Sequence, residues 1–243
     1  MTIKERIWRR VRPARNALRK AVQNPPVGAI DWGDFGRLQP INDNWGFERG
    51  TPVDRFYIGE FLGHHASDIK GRVLEVANNE YTVEFGGDRV QKSDILCPVE
   101  GNSRATIIAD LTIPELIPEN LFDCVICTQT LQFIFDVRTA ISSLHRLLKP
   151  GGVLLLTVPG ISQISREDMA ATGDYWRFTT AALERLFGAE FPGDALSIES
   201  HGNVKSSVGL LHGVAAEEIA EEDLRVTDFP YQLILSVRAV RPR

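Results

Sequence analysis

Two apolar runs constrain the fold most. "LFDCVICT" at residues 121–128 and "GGVLLLTVP" at 151–159 flank a stretch, 137–148, whose apolar residues recur at three- and four-residue steps. Strands with so little polar alternation need cover on both faces, which parallel sheets receive from helices. Further strands are expected at residues 73–76, 89–94, 105–109, 196–200 and 231–240, with the two runs contributing 122–127 and 153–158. Helical patterns occupy 51–69, 137–148, 180–187 and 215–224. The alternation predicts a doubly wound α/β fold with a mostly parallel, seven-stranded sheet and an N-terminal extension. Three parts are expected: a basic amphipathic arm at 1–23, a lead-in or cap at 24–70, and the main domain at 71–243.

With 243 residues, 43% of them hydrophobic, the chain can bury a large core. No apolar run approaches the roughly 20 residues a bilayer span requires, and the basic N-terminus lacks the apolar stretch of a secretory signal. A cytoplasmic protein, peripheral to the inner membrane face, is the expectation. Cys97, Cys124 and Cys127 are an odd set, against a disulfide framework. The odd offset between Cys124 and Cys127 on a strand sends the two thiols to opposite faces, so the pair reads as core. Residues 1–20 hold eight basic side chains against Glu5 alone, in a chain whose net charge is −5. The arm suits docking on an anionic membrane or on a biosynthetic partner, or is a solvated tail. The acidic remainder would repel phosphates, so no nucleic-acid partner is expected.

A doubly wound sheet binds ligands at the carboxyl ends of its strands. Glu75, Asp94 and Asp110 stand near three successive expected ends. Asp94 follows Glu75 by 19 positions, close to the roughly 20 separating a first-loop fingerprint from the carboxylate that takes ribose hydroxyls. Asp110 suits the exocyclic amine of adenine, with Ile95 and Leu111 closing on the ring.

"GRVLEVANNEYT", "KSDIL", "IIADL", "NLFDCVICTQTLQFI" and "LLKPGGVLLLTVPG", in that order, resemble the successive motifs of class I S-adenosylmethionine-dependent methyltransferases. More closely, "ERGTPVDRFYI" and "GDYWRFT" are similar to segments of bacterial methyltransferase-domain proteins associated with sugar, glycan and natural-product pathways. The resemblance covers about residues 32–240 and implies S-adenosylmethionine as cofactor. Candidate cofactor contacts are Tyr57, Glu75, Val76, Ala77, Asn78, Asp94, Ile95, Asp110, Leu111 and Gln129. Where the family commonly carries G-x-G, this chain has Ala77, Asn78 and Asn79. The sulfonium cofactor has no pyrophosphate, so that loop must turn sharply rather than admit phosphate, and Asn tolerates left-handed geometry.

The expected reaction is O-methylation of a small polar, sugar-containing acceptor. Arg49, Asp174, Tyr175 and Arg177 are the candidate acceptor contacts. Histidine's ordinary pKa suits a base for hydroxyl methylation near neutral pH, which nominates His201 after the sixth strand and, in reserve, His212. Two other readings use the same fold: a non-catalytic scaffold beside a biosynthetic partner, and an S-adenosylmethionine-binding enzyme of other chemistry.

Overall fold

The computed structural model describes residues 24–243, together with Pro13 and Val22. The basic arm at 1–23, with its docking role, therefore lies outside the described residues save those two. The chain divides into two units, Met1–Gln39 and Pro40–Arg243. In the first, the described regular element is a 3-10 turn at Gly33–Gly36.

In the second unit, the strands among the described residues form one sheet of seven. They are β1 (Gly71–Val76), β2 (Val90–Cys97), β3 (Ile107–Ile108), β4 (Phe122–Thr128), β5 (Leu148–Pro159), β6 (Leu196–His201) and β7 (Ile234–Val240). Their spatial order is β3-β2-β1-β4-β5-β7-β6. β1 to β5 pair in parallel, and β7 lies antiparallel between β5 and β6. The order reverses between β1 and β4, where such a sheet opens a crevice at its carboxyl edge.

The apolar runs pack on both faces, as their composition requires. Leu74, Val125, Cys127, Leu154 and Leu156 meet α2 (Val137–Leu147) and α4 (Thr180–Phe187) through Ile141, Leu144, Leu183 and Phe187. The alternate residues Val73, Cys124, Ile126, Val153 and Leu155 face α1 (Val53–His64) through Ile58, Phe61 and Leu62. Cys124 and Cys127 thus belong to opposite faces, and burial pushes the Cys127 thiol up to about 12. Each fully buried Leu or Phe contributes about 1.5–3 kcal/mol. The Asp136 carboxylate caps α2 by accepting from Thr139 N at 3.2 Å.

Several boundaries differ from expectation. β3 is reduced to two residues, and β7 starts at Ile234 rather than 231. The helix expected over 215–224 is a 3-10 turn, Ala216–Glu218, followed by α6 (Glu221–Leu224). A short helix, α3 (Arg166–Ala171), follows β5. The segment after β6, outside the expected helical patterns, is helix α5 (Val204–His212). Asn203 starts it with a capping box, accepting from Lys205 N and Ser206 N while Ser206 Oγ accepts from Asn203 N. Gly213 ends it at φ +66°.

Candidate cofactor and acceptor site

The loop after β1 is held from beneath. Glu75 is 2% exposed, and its carboxylate accepts from Thr82 N and Thr82 Oγ1 at 2.7 Å each and from Tyr81 N at 3.2 Å. Burial pushes the Glu75 carboxyl above its ordinary value against the pull of those hydrogen bonds. Above it Ala77 turns at φ +73°, the left-handed region for which glycine is commonly used. Ala77 N donates to Leu96 O at 2.9 Å and its carbonyl accepts from Asn102 Nδ2 at 2.9 Å. The side chain of Asn78 accepts from Glu80 N at 3.1 Å, folding the loop back on itself. The missing glycines therefore do not remove the turn.

Beside this loop opens a cavity of about 1350 Å³. Val76, Ala77 and Asn78 form one wall, with Leu96 and Pro98 from the end of β2. Ala109, Asp110, Leu111 and Thr112 follow β3, and Thr128, Gln129 and Thr130 follow β4. Asp110 Oδ1 accepts from Thr112 N and Thr112 Oγ1, both at 2.8 Å. Phe47, Arg55, Phe133, Phe135 and Tyr175 complete the rim. The acidic residues on the wall are Glu80, Glu84, Asp110, Asp136 and Asp168, against Arg55 as the basic one. An acidic wall suits a ligand carrying a sulfonium and an ammonium group, and the apolar patch at Leu96, Pro98 and Leu111 suits an adenine face. The residues present fit S-adenosylmethionine.

A smaller annex of about 160 Å³ shares Phe47, Arg55, Gln129, Phe133 and Asp168 with the large cavity. Asp54, Trp45, Gln132, Asp174 and Arg177 also face it. Asp174 and Arg177 are joined by two hydrogen bonds, at 2.6 and 2.9 Å, and Asp174 also accepts from Ser165 N at 2.9 Å. Burial works to raise the Asp174 carboxyl, but Arg177 and Ser165 outweigh it and hold it below its ordinary value.

Of the residues nominated from sequence, Val76, Ala77, Asn78, Asp110, Leu111, Gln129 and Tyr175 line the large cavity. Others are placed elsewhere. β2 runs three residues past Asp94, which lies inside the strand at 1% exposure. Its carboxylate pairs with Arg72 Nε at 2.6 Å and Lys92 Nζ at 3.6 Å. Burial opposes ionisation of Asp94, but the hydrogen bond and charge from Arg72 prevail and hold its pKa low. Asp94 is thus a structural ion pair, away from the cavity wall. Ile95 is buried beside it, its N–H donating to Thr106 Oγ1 at 3.0 Å. Tyr57 is 4% exposed, with its hydroxyl donating to Leu224 O at 2.8 Å. Arg49 pairs with Glu218, Nε to Oε2 at 2.9 Å.

The two histidines are likewise off both cavity walls. His201 Nε2 lies 2.8 Å from Ser236 Oγ on β7, and its ring stacks on Tyr57 at 6.0 Å between centroids. His212 closes α5, and its carbonyl accepts from Ile41 N and Asn42 N at 2.9 and 3.0 Å. Asn203, two residues after His201, caps the start of α5. Sequence reasoning missed Asp54, Arg55 and Phe133. The signal available for the first two was an adjacent acid and base in the first turn of a helix led in by Pro52.

Residues 59–156 match the family described as Methyltransferase domain, somewhat under half of the chain. Solved structures share the fold at low identity. A methyltransferase dependent on S-adenosylmethionine from Archaeoglobus fulgidus is 14% identical, with 77% of this chain and 94% of that one covered at a TM-score of 0.51. The N-methyltransferase NodS from Bradyrhizobium japonicum, in complex with S-adenosylhomocysteine, is 14% identical, with 83% and 94% covered at 0.52. A methyltransferase dependent on S-adenosylmethionine from Mesorhizobium loti is 17% identical, with 78% and 98% covered at 0.51. No curated protein matches the sequence. The match marks residues 59–156 as a methyltransferase domain, an enzyme domain that implies S-adenosylmethionine as cofactor, and the solved structures share its fold. Among the described residues no helix is long and apolar enough to cross a membrane.

Proposed function

We propose that the enzyme methylates a hydroxyl of a small polar acceptor, such as a sugar, a glycan precursor or a polar natural product. The observation that carries this reading is the annex beside the large cavity, where carboxylates and two arginines, Arg55 and Arg177, share the wall with the aromatic side chains of Trp45, Phe47 and Phe133. Carboxylate oxygens accept from vicinal hydroxyls, and ring faces cover the C–H side of a polyol. S-adenosylmethionine supplies an already activated sulfonium methyl. The protein's work is then to bind, align and exclude water. In this reading Ala77 and Asn78 hold the amino-acid end of the cofactor, and Asp110 takes the adenine amine with Leu96 and Leu111 against the ring. Gln129, at φ +46° and tied to Thr157 O at 2.8 Å, is fixed where the two cavities meet.

The test is titration calorimetry with S-adenosylhomocysteine, followed by transfer of labelled methyl to a panel of hydroxyl and amine acceptors. Binding with label on hydroxyl acceptors supports the reading. Absence of binding, or label on amines alone, overturns it.

A further inference from the structure

Asp54 is a buried carboxylate on the annex wall whose second oxygen is poorly satisfied among the described residues. It sits in the first turn of α1 with its side chain 13% exposed, facing the annex. Oδ1 accepts from Arg55 N at 2.9 Å, while the ion-pair contact of Oδ2 among the described residues is Arg55 Nε at 3.8 Å, beyond hydrogen-bond range. The Arg55 guanidinium is engaged elsewhere. It donates to Tyr81 Oη at 3.2 Å and lies over the Phe47 ring, 6.0 Å from its centroid. The other acid–base pair on this wall, Asp174 with Arg177, satisfies itself. Gln132 on the same wall is 5% exposed and its buried Oε1 has no partner among the described residues. A half-satisfied polar wall of this kind is costly in an empty apolar pocket and is met by a hydrogen-bond donor.

We propose that the annex is the acceptor subsite and that Asp54 Oδ2 is the base that takes the proton of the acceptor hydroxyl. This rests on the hydroxyl methylation proposed above. The acceptor oxygen uses a lone pair to form the bond to the methyl carbon, while the carbon–sulfur bond breaks with its electron pair passing to sulfur. The hydroxyl proton moves to Asp54, which returns it to solvent after product leaves. The products are the methyl ether and neutral S-adenosylhomocysteine. The charged group acting on Asp54 is Arg55, Tyr81 lies within its electrostatic reach, and Asp168, Asp174 and Arg177 line the same annex. Burial holds the Asp54 carboxyl above its ordinary value, with Arg55 opposing, which brings a carboxylate closer to the working range of a base.

The test pairs the unmodified protein with Asp54→Asn, which keeps the shape of the side chain. The probes are methyl α-D-glucopyranoside and its galacto and manno epimers. Saturation-transfer NMR follows their binding to the S-adenosylhomocysteine complex, and labelled methyl follows turnover. The expected result is unchanged S-adenosylhomocysteine affinity in Asp54→Asn, and a fall in kcat of about 100-fold or more, as removal of a general base costs. The unmodified enzyme should also lose kcat as pH falls through the raised Asp54 value, a limb that Asp54→Asn lacks. Near-normal turnover in Asp54→Asn overturns the base assignment. A complex that binds S-adenosylhomocysteine but neither holds nor methylates any of the three glycosides overturns the subsite. Failure of the unmodified protein to bind S-adenosylhomocysteine is the separate outcome that removes the cofactor reading itself.

Discussion

Ala77 holds a left-handed backbone at the edge of the cavity, a conformation that costs a residue with a β-carbon about 1–2 kcal/mol. Glycine there would relieve the strain while losing more entropy on folding. Ala77→Gly is therefore expected to stabilise the protein by about 0.5–1 kcal/mol, read as a higher urea midpoint at unchanged slope. Asp94 is the opposite case. Spacing marked it as a ribose ligand, because counting residues locates an acid along the chain without saying where its strand ends. The strand runs on to Cys97, and Arg72, one residue into β1, claims the carboxylate. Asp94→Asn is expected to cost about 2 kcal/mol, discounted from the larger penalty of a fully buried pair because Arg72 is partly exposed. Calorimetry should show S-adenosylhomocysteine affinity unchanged, and a large affinity loss would return Asp94 to the site.

The clearest test of an element is where α5 stops. At Gly213 a β-carbon would lie 2.1 Å from the Asn42 carbonyl oxygen, and φ is +66°. Asn42 N also donates to the last carbonyl of the helix, so the lead-in and the end of α5 are fastened at one point. Gly213→Ala is expected to destabilise by about 2 kcal/mol or more, visible as a lower melting temperature. That helix was not legible as one, although its signals were present. Ser206, Ser207 and Gly209 inside it dilute the helical pattern, while Asn203, Ser206 and Gly213 mark its ends. By contrast α2 and the strands around it were legible, since a run such as "VLLLTV" can be buried only with cover on both faces. The acceptor annex was not, because Trp45 and Asp54, Gln132, and Arg177 come from three distant segments that only the completed sheet assembles.

At the scale of the whole molecule, acid should act in two stages. Burial holds His65, His145 and His201 below the ordinary imidazole value. The stability each contributes as a neutral ring is complete above about pH 6.5 and is lost as pH falls through its lowered folded value. Asp94, Asp123 and Asp174, also held low in the folded state, follow in the same sense below about pH 3.9. Glu75 and Asp54, raised by burial, work the other way. Melting temperatures of the unmodified protein and His201→Gln, which can still bond Ser236, isolate one contribution. The variant's melting temperature should fall less between pH 7.5 and 5, and parallel curves would refute this account. One consequence of the strand order concerns birth rather than equilibrium. Residues 234–240 leave the ribosome after the other six described strands, yet their place is inside the sheet, between β5 and β6. Until they arrive, β6 has no partner strand and β5 keeps an open edge, the kind of backbone template that recruits foreign strands. The nascent chain must therefore hold a gap open for β7, and any chaperone acting on it would find its target at that gap.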